Sequence, residues 1–315
     1  MNILFIADPL ASFKIYKDTT FAMMREAQKR GHQLFVCEPH HLVWQSGQTV
    51  NAQVQQVHLT GHPDAWFEVH GVHADRALHG FDAVVMRKDP PFDSEYFYAT
   101  HLLEQAEREG AKVFNKPSAL RDHPEKLAIL EFAQFISPTL VTRDAQAIRA
   151  FHAVHRDIIL KPLDGMGGMG IFRVKDDALN LGAIIETLNR DGTQTVMVQK
   201  FLPAIAQGDK RVLVIGGKAV PFCLARIPQG GEVRGNLAAG GKGVAQAISA
   251  RDQEIADAIG PVLAARGLLL IGLDVIGDNL TEINVTSPTC FQEIYDQTGC
   301  DVAGLFMDAL EHEAA

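Results

Sequence analysis

The chain has 315 residues, of which 47% are hydrophobic, and this suits about two domains of roughly 150 residues each. Its 29 basic and 38 acidic residues give a formal net charge of −9, so the broad positive field that attracts nucleic acid or anionic membranes is not expected. The first residues are a short apolar run without a basic leader, and no apolar run reaches the roughly 18 residues that span a bilayer. We therefore expect a cytosolic protein with no nucleic-acid and no membrane partner.

The first region, residues 1–122, has the pattern of an α/β domain. Apolar runs alternate with helical periodicity in it, as they do in a parallel sheet. The predicted elements are a strand at 3–7, a helix at 19–30, strands at 33–37 and 82–86, a helix at 94–109 and a strand at 112–114. No glycine loop for phosphates follows the first strand, so we expect this domain to hold a substrate rather than a nucleotide.

From residue 123 the pattern changes, and we divide the remainder into a central region, 123–200, and a C-terminal region, 201–315. The predicted elements of the central region are helices at 125–135, 145–155 and 177–189 and strands at 157–160, 171–174 and 195–199. Those of the C-terminal region are strand pairs at 210–215 with 219–225 and at 269–276 with 280–285, and a helix at 249–265. Strand pairs joined by short turns predict largely antiparallel sheets.

A glycine-rich loop, residues 164–170, joins two of the predicted strands. It matches G-x-G-x-x-G by count, but that fingerprint opens a helix, whereas a β-branched and aromatic run follows here. The Gly-Lys-Ser/Thr of a Walker A loop is also missing. Strand, glycine loop and strand predict a hairpin whose flexible tip could fold over a triphosphate, and a surface hairpin without function is the alternative.

Two lysines flank this hairpin in the sequence. Lys161 ends an otherwise apolar strand, where a cationic side chain is costly unless a counter-charge such as a nucleotide phosphate meets it. Lys126 stands at the start of the central region, and for this residue an ordinary surface position is an open alternative.

The segment 273–284 indicates a metal-binding face. If residues 277–279 form a three-residue hairpin loop, Asp274 stands opposite Glu282, and strand alternation puts Asn284 on the same face. Like charges opposed across a sheet are destabilising unless a cation lies between them. Magnesium is the natural candidate because it binds carboxylate, amide and phosphate oxygens, and two exposed acids in water are the alternative.

These features follow one another in the order that is typical of the ATP-grasp fold, and the chain resembles the bacterial glutathione synthetase family over about residues 2–310. The segments that carry the resemblance are residues 86–93 (Met-Arg-Lys-Asp-Pro-Pro-Phe-Asp), 160–168, 226–232, 234–241 and 281–289. The chain departs from the family at His123-Pro124, where asparagine is expected before Glu125, and at Lys200-Phe201 in the adenine hinge. Because the hinge is read through its backbone, we expect little change in function.

The resemblance implies an α/β protein in which a parallel-sheet domain precedes a two-subdomain ATP-grasp fold. It also implies that γ-glutamylcysteine is joined to glycine while ATP is cleaved to ADP and phosphate, through an acyl phosphate. ATP is then a co-substrate, magnesium or alternatively manganese is the cofactor, and a homotetramer is expected.

The resemblance further implies a set of site residues. Those assigned to ATP are Lys126, Lys161, Gly165, Gly167, Gly168, Gly170, Gln199, Lys200, Phe201, Leu202 and Asp209. Those assigned to the metal are Asp274, Glu282 and Asn284, and those assigned to catalysis are Arg211 and Arg226, for which surface ion pairs are the alternative. Those assigned to the other substrates are Lys17, Asp18, Arg87, Arg226, Gly240, Gly241 and Ser287.

The glycine-rich stretch 227–243 is interpreted as a second lid, which excludes water from a labile acyl phosphate, with an unstructured surface loop as the alternative. Two other functions stay open. One is a different ATP-grasp ligase, such as a dipeptide ligase, against which residues 86–93 and this stretch argue. The other is a nucleotide-binding regulatory protein without turnover, for which the metal-binding face of Asp274, Glu282 and Asn284 would be unnecessary.

Overall fold

The computed structural model describes residues 1–232 and 234–315. The strands are β1 Asn2–Ile6, β2 Gln33–Cys37, β3 Leu42–Val43, β4 Asn51–Leu59, β5 Phe67–Ala77, β6 Ala83–Met86, β7 Val113–Phe114, β8 Thr139–Thr142, β9 Ile158–Pro162, β10 Phe172–Val174, β11 Val196–Lys200, β12 Asp209–Ile215, β13 Lys218–Ile227, β14 Lys242–Ala247, β15 Leu270–Ile276 and β16 Asn279–Asn284. The helices are α1 Thr19–Lys29, α2 Ser94–Arg108, α3 Pro117–Asp122, α4 Ala145–His155, α5 Leu181–Asn189, α6 Ala250–Ala265, α7 Phe291–Thr298 and α8 Val302–Ala314. Within the described residues, no helix combines the length and the apolar character that crossing a membrane requires.

The N-terminal sheet has the strand order β3-β4-β2-β1-β6-β7, and β5 also pairs with β4. Its centre is parallel, because β1 pairs in parallel with β2 and β6, and β6 with β7, which confirms the predicted parallel sheet. β1 and β6 are apolar and almost wholly buried, as strands covered on both faces must be. The antiparallel strands β3, β4 and β5 were not predicted.

The central sheet has the order β10-β9-β11-β8. β9 and β10 pair antiparallel on either side of the glycine loop, with Phe172 opposite Leu160, which confirms the predicted hairpin. The helix predicted at 125–135 is wrong in part: the structure has 3₁₀ turns at Ala128–Phe135, and Phe132 has non-helical backbone angles. The strand β9 extends to Pro162, so Lys161 lies within it.

The C-terminal sheet has the order β14-β13-β12-β15-β16. Asp274 lies opposite Glu282 as predicted, but the three-residue loop is wrong, because Asn279 pairs with Ile276. The register shifts by one residue between the turn and Asp274, so that Thr281 is an extra residue in β16. The bulge at Thr281 therefore restores the facing carboxylates that a two-residue turn alone would have displaced.

The apolar cores join the first and third sheets. One core contains Val84 of β6 and Leu273 of β15, and another contains Phe5 of β1 and Leu213 of β12. The central sheet packs around a separate core that includes Leu160. The glycine hairpin is therefore part of a unit with its own core, whereas the N-terminal and C-terminal sheets pack as one body.

A polar contact reinforces that body. The buried Asn115 side chain donates from Nδ2 to the backbone oxygens of Leu270, at 2.7 Å, and Val285, at 2.8 Å. Its Oδ1 accepts from the N–H of Leu270 at 3.0 Å. One amide thus satisfies three buried backbone groups, on β15 and just beyond β16.

We predict that Asn115→Leu lowers the free energy of unfolding by about 2–4 kcal/mol, because a leucine of similar volume leaves these backbone groups without partners. Asn51→Leu is the control, since among the described residues the Asn51 side chain donates only to the backbone oxygen of Thr49, two residues away. Urea unfolding of both variants measures the difference. Equal losses in the two variants would contradict a bridging role for Asn115.

Candidate active site

A cleft of about 320 Å³ lies between the central and C-terminal sheets. It gathers residues from β9, the glycine loop, the end of β11 and the facing strands β12, β13, β15 and β16. The sequence-predicted residues that line it are Lys126, Lys161, Gly165, Gly167, Gly168, Gln199, Lys200, Phe201, Leu202, Asp209, Arg211, Arg226, Asp274, Glu282, Asn284 and Ser287. Residues far apart in the sequence therefore meet around one cavity.

The other predicted residues do not line this cavity. They are Lys17 and Asp18 before α1, Arg87 after β6, Gly170 at the end of the glycine loop, and Gly240 and Gly241 before β14. Asp18 caps α1, because its carboxylate accepts from the N–H of Phe21 at 2.8 Å. Arg87 is buried and donates to Thr20 Oγ1 at 3.1 Å and to the backbone oxygen of Pro288 at 3.2 Å. Their roles in substrate binding stay predictions.

Two buried lysines reach into the cleft. Lys126 Nζ donates to the backbone oxygen of Gly165 at 2.5 Å and to Glu282 Oε1 at 3.2 Å. Lys161 Nζ donates to the backbone oxygen of Thr281 at 3.2 Å, and no carboxylate of the described residues forms an ion pair with it. Burial lowers the pKa of Lys161, and Glu282 offsets part of this effect. An anionic phosphate beside Lys161 would supply the missing counter-charge.

Two arginines share the carboxylate of Asp274 at the floor of the cleft. Arg211 donates from Nε and Nη2 to the two carboxylate oxygens at 2.5 and 3.1 Å, and Arg226 Nη2 lies 2.8 Å from Oδ2. Burial opposes ionisation of Asp274, but the arginines outweigh it and hold the pKa of Asp274 well below its usual range. Burial also opposes the charge on Arg226, but the carboxylates of Asp209 and Asp274 outweigh it and raise its pKa. The ion pairs with these carboxylates therefore keep both arginines charged although the side chains are shielded from bulk water.

Asp209 contacts Arg226 from the neighbouring strand, with 2.5 Å between Oδ2 and Nη2. Burial raises the pKa of Asp209 to about 7, and Arg226 offsets only part of this effect. Asp209 Oδ1 is buried and accepts no hydrogen bond from the residues that the structure describes. A hydroxyl group of a bound nucleotide could donate to this oxygen.

Asp274, Glu282 and Asn284 share one face of the β15–β16 pair. Asn284 Nδ2 donates to the backbone oxygen of Gly272 at 3.2 Å, which leaves Oδ1 as an acceptor. Two carboxylates and an amide oxygen suit a hard divalent cation such as Mg²⁺ or Mn²⁺. The donor set therefore fits the predicted metal site, although each carboxylate is here paired with Lys126 or the arginines.

The hinge at the end of β11 exposes one backbone donor. The N–H groups of Lys200 and Phe201 donate to the backbone oxygens of Pro138 and Asp157, whereas the N–H of Leu202 has no partner among the described residues. The guanidinium of Arg173, ion-paired with Asp157, lies 3.4 Å from the Phe201 ring centroid and supports it. Leu202 N–H can thus donate to an adenine ring, as a backbone-read hinge requires.

The glycine loop meets the β13–β14 connection over the cleft. Arg234 Nη1 lies 3.4 Å from the backbone oxygen of Gly168, and a Cβ atom on Gly168 would lie 2.8 Å from Asn236 Oδ1. Only glycine allows this approach, since Gly168 also has a φ of +85°. Val233, within the same connection, lies outside the described residues.

Family models match almost the whole chain. The model of the prokaryotic glutathione synthetase N-terminal domain matches residues 1–121, and that of the prokaryotic glutathione synthetase ATP-grasp domain matches residues 125–299. The chain belongs to the prokaryotic glutathione synthetase family. The resemblance expected from the motifs is confirmed.

Curated relatives in this family match at full length. The chain is 62% identical to a protein named Glutathione synthetase from Ralstonia nicotianae, over 100% of this chain and 96% of the relative. It is 57% identical to one of the same name from Nitrosomonas europaea, over 100% and 99%. Among solved structures, the D-cycloserine synthetase DcsG is similar at 15% identity, over all of both chains, with a TM-score of 0.68. The ATP-grasp ligase PsnB, at 23% identity over 100% and 99%, has a TM-score of 0.64. These structures share the fold.

Some residues at the cleft were not identified as site residues from the sequence. They are Glu125, Arg234 and Asn236, which line the cleft, and Arg173, which supports the hinge. The β9–β10 register could have indicated that Arg173 lies near Asp157, because Arg173 is opposite Ile159. Nothing local marks Glu125, whose hydrogen-bond partners lie about 160 residues away.

We predict that Glu282→Gln lowers turnover at least about a hundredfold, because removing a metal ligand where charge develops costs roughly 3 kcal/mol or more. Glu254→Gln, which removes an exposed carboxylate paired with Arg251 on α6, is the matched control. Steady-state rates at saturating magnesium and circular dichroism of both variants provide the test. Near-normal turnover of a folded Glu282→Gln protein would exclude this metal-face assignment.

Proposed function

We propose that this protein ligates γ-L-glutamyl-L-cysteine to glycine, with cleavage of ATP to ADP and phosphate, to give glutathione. The observation that carries the proposal is the 62% identity, over the whole chain, to a relative named Glutathione synthetase. The cleft supports it, because phosphate-neutralising, metal-binding and adenine-binding groups surround one cavity. The protein is then an ATP-dependent carbon–nitrogen ligase.

The reaction requires an activated carboxylate, because the oxide that a free carboxylate would lose is a poor leaving group. The cysteinyl carboxylate oxygen attacks the γ-phosphorus, the bond to the β,γ-bridging oxygen breaks, and ADP leaves. The amine of glycine then attacks the acyl phosphate, phosphate departs with its electron pair, and the amine loses a proton. The protein contributes positioning and charge neutralisation to both steps.

The residues of the cleft divide this work. Lys126 and Lys161 bind the phosphates under the glycine hairpin, and Leu202 N–H holds adenine. Arg211 and Arg226 neutralise the charge on the transferred phosphoryl group. A divalent cation held by Asp274, Glu282 and Asn284 would draw negative charge from the phosphate oxygens. The burial and pairing of each side chain support these proposed roles.

The dipeptide binds on the side of the cleft that faces the N-terminal domain. Ser287 lies at this end and donates from Oγ to the backbone oxygen of Lys88 at 2.9 Å. Lys17, Asp18, Arg87, Gly240 and Gly241 belong to the dipeptide side in this proposal, and the units are 1–122 for substrate, 123–200 for the nucleotide lid and 201–315 for catalysis. Magnesium as the preferred metal, a homotetramer and a cytosolic location complete the proposal.

We predict that ADP release requires γ-glutamylcysteine and that sustained turnover also requires glycine, since the dipeptide carboxylate is the phosphoryl acceptor. A coupled ADP assay with and without each substrate measures this, and Glu282→Gln protein controls for contaminating ATPase. Release that is equally fast without γ-glutamylcysteine, or that depends on D-alanine instead, would contradict the proposal.

The predicted loop 227–243 is wrong at its ends, because Ile227 belongs to β13 and residues 242–243 belong to β14. We also predict that the remaining connection, 228–241, is a lid over the dipeptide. Lys242 begins β14, opposite Ile227, so Arg234 is the informative trypsin site in the connection. Trypsin should cut after Arg234 in the free protein and more slowly when ATP and dipeptide are bound, because lid closure buries this bond. Shortening the connection should uncouple ATP hydrolysis from ligation. Equal cleavage with and without ligands, together with full coupling in the shortened variant, would rule the lid out.

A further inference from the structure

The strand β16 leaves the sheet directly after the metal face. Its last residue is Asn284, and the next two residues, Val285 and Thr286, are 1% and 5% exposed. Backbone N–H groups buried in this way need hydrogen-bond partners, which the neighbouring strand β15 no longer provides. The group that accepts hydrogen bonds from these two N–H groups therefore fixes the position of the end of β16.

The side chain of Glu125 is that acceptor. Its Oε1 accepts from the N–H of Val285 at 3.0 Å, the N–H of Thr286 at 3.1 Å and Thr286 Oγ1 at 2.8 Å. The backbone oxygen of Glu125 accepts from the N–H of Ile283 at 3.0 Å. Glu125 therefore holds the chain on both sides of Asn284.

Lys126, the next residue, contacts a carboxylate of the metal-binding face, that of Glu282. Lys126 Nζ donates to Glu282 Oε1 and to the backbone oxygen of Gly165 in the glycine loop. Residues 125 and 126 thus contact residues 282, 283, 285 and 286, on both sides of Asn284, and also Gly165 of the glycine loop. Hydrogen bonds to a carboxylate are stronger than neutral ones, and three converge on one oxygen of Glu125.

We propose that Glu125 is a positioning residue, which keeps Asn284 and Glu282 where a divalent cation bound with ATP needs them. The inference rests on the proposed function for the identity of that ligand. Glu125 acts through the backbone of β16, because its Oε1 is used by three donors of the protein. Without it, the two buried N–H groups of 285 and 286 lose their acceptor and the strand end shifts to find others. Removing a residue that orients the metal ligands in this way lowers metal affinity by about 10–100-fold.

The test is Mn²⁺ binding to the ATP complex, followed by the paramagnetic resonance of free Mn²⁺, in the full-length protein. Glu125→Ala should weaken Mn²⁺ binding about 10–100-fold. Thr286→Val, which removes one of the three donors and keeps the side-chain shape, should weaken it about threefold. ATP binding in EDTA should fall much less than Mn²⁺ binding in both variants, because Lys161 and the hinge also hold the nucleotide and are untouched. Glu131→Ala is the matched control, since that carboxylate pairs with Arg266 on the surface of the same segment.

Mn²⁺ affinities of Glu125→Ala and Thr286→Val within about twofold of wild type would overturn the proposal, and so would an equal loss of ATP binding in EDTA. If Glu125→Ala does not fold, the Thr286→Val measurement decides. The proposed function is tested separately by γ-glutamylcysteine-dependent ADP release from the Glu131→Ala protein. Failure of that assay alongside the expected Mn²⁺ pattern would remove the substrate assignment and leave the role of Glu125 intact.

Discussion

Ionised side chains that are shielded from water must have partners, and the floor of the cleft is built around this constraint. Asp274 is buried and ionised only because Arg211 and Arg226 both contact it. Glu282, which is only partly buried, forms an ion pair with the buried Lys126. In the proposed function, phosphates and a divalent cation would replace these internal partners, since the incoming charges substitute for the ones that are released. The strands β12, β13, β15 and β16 fix which of these side chains face each other.

The sequence alone predicts much of this arrangement where the signal is local. The pairing of Asp274 with Glu282 was predicted from a three-residue loop, and it holds because the observed two-residue turn and the bulge at Thr281 together give the same register. The glycine hairpin was predictable because β-branched and aromatic residues follow the loop where a helix would be needed for a dinucleotide. In both cases the pattern and its partner lie within a few residues of each other.

The remaining features depend on contacts that no short pattern encodes. The strand β4 alternates between buried and exposed residues, but a bulge between Val54 and Gln56 shifts the phase of this alternation, and β4 pairs with the polar strand β5. The segment 128–135 has helical periodicity, but Phe132 breaks the helix and lies buried in the core shared by the first and third sheets. Glu125 is recognisable only when β16, more than 150 residues later, lies beside it. In each case contacts between residues far apart in the sequence determine the local structure.

The fold accounts for ATP chemistry but not for the acceptor, because ligases of 15–23% identity share it. In the proposed reaction, the γ-phosphoryl group passes to the dipeptide carboxylate. This transfer is tested with γ-glutamylcysteine labelled with ¹⁸O at both oxygens of its cysteinyl carboxylate, followed by mass analysis of the phosphate released. We expect one ¹⁸O atom in each phosphate and one retained in the new amide. Unlabelled phosphate, formed while the labelled peptide is ligated, would contradict it.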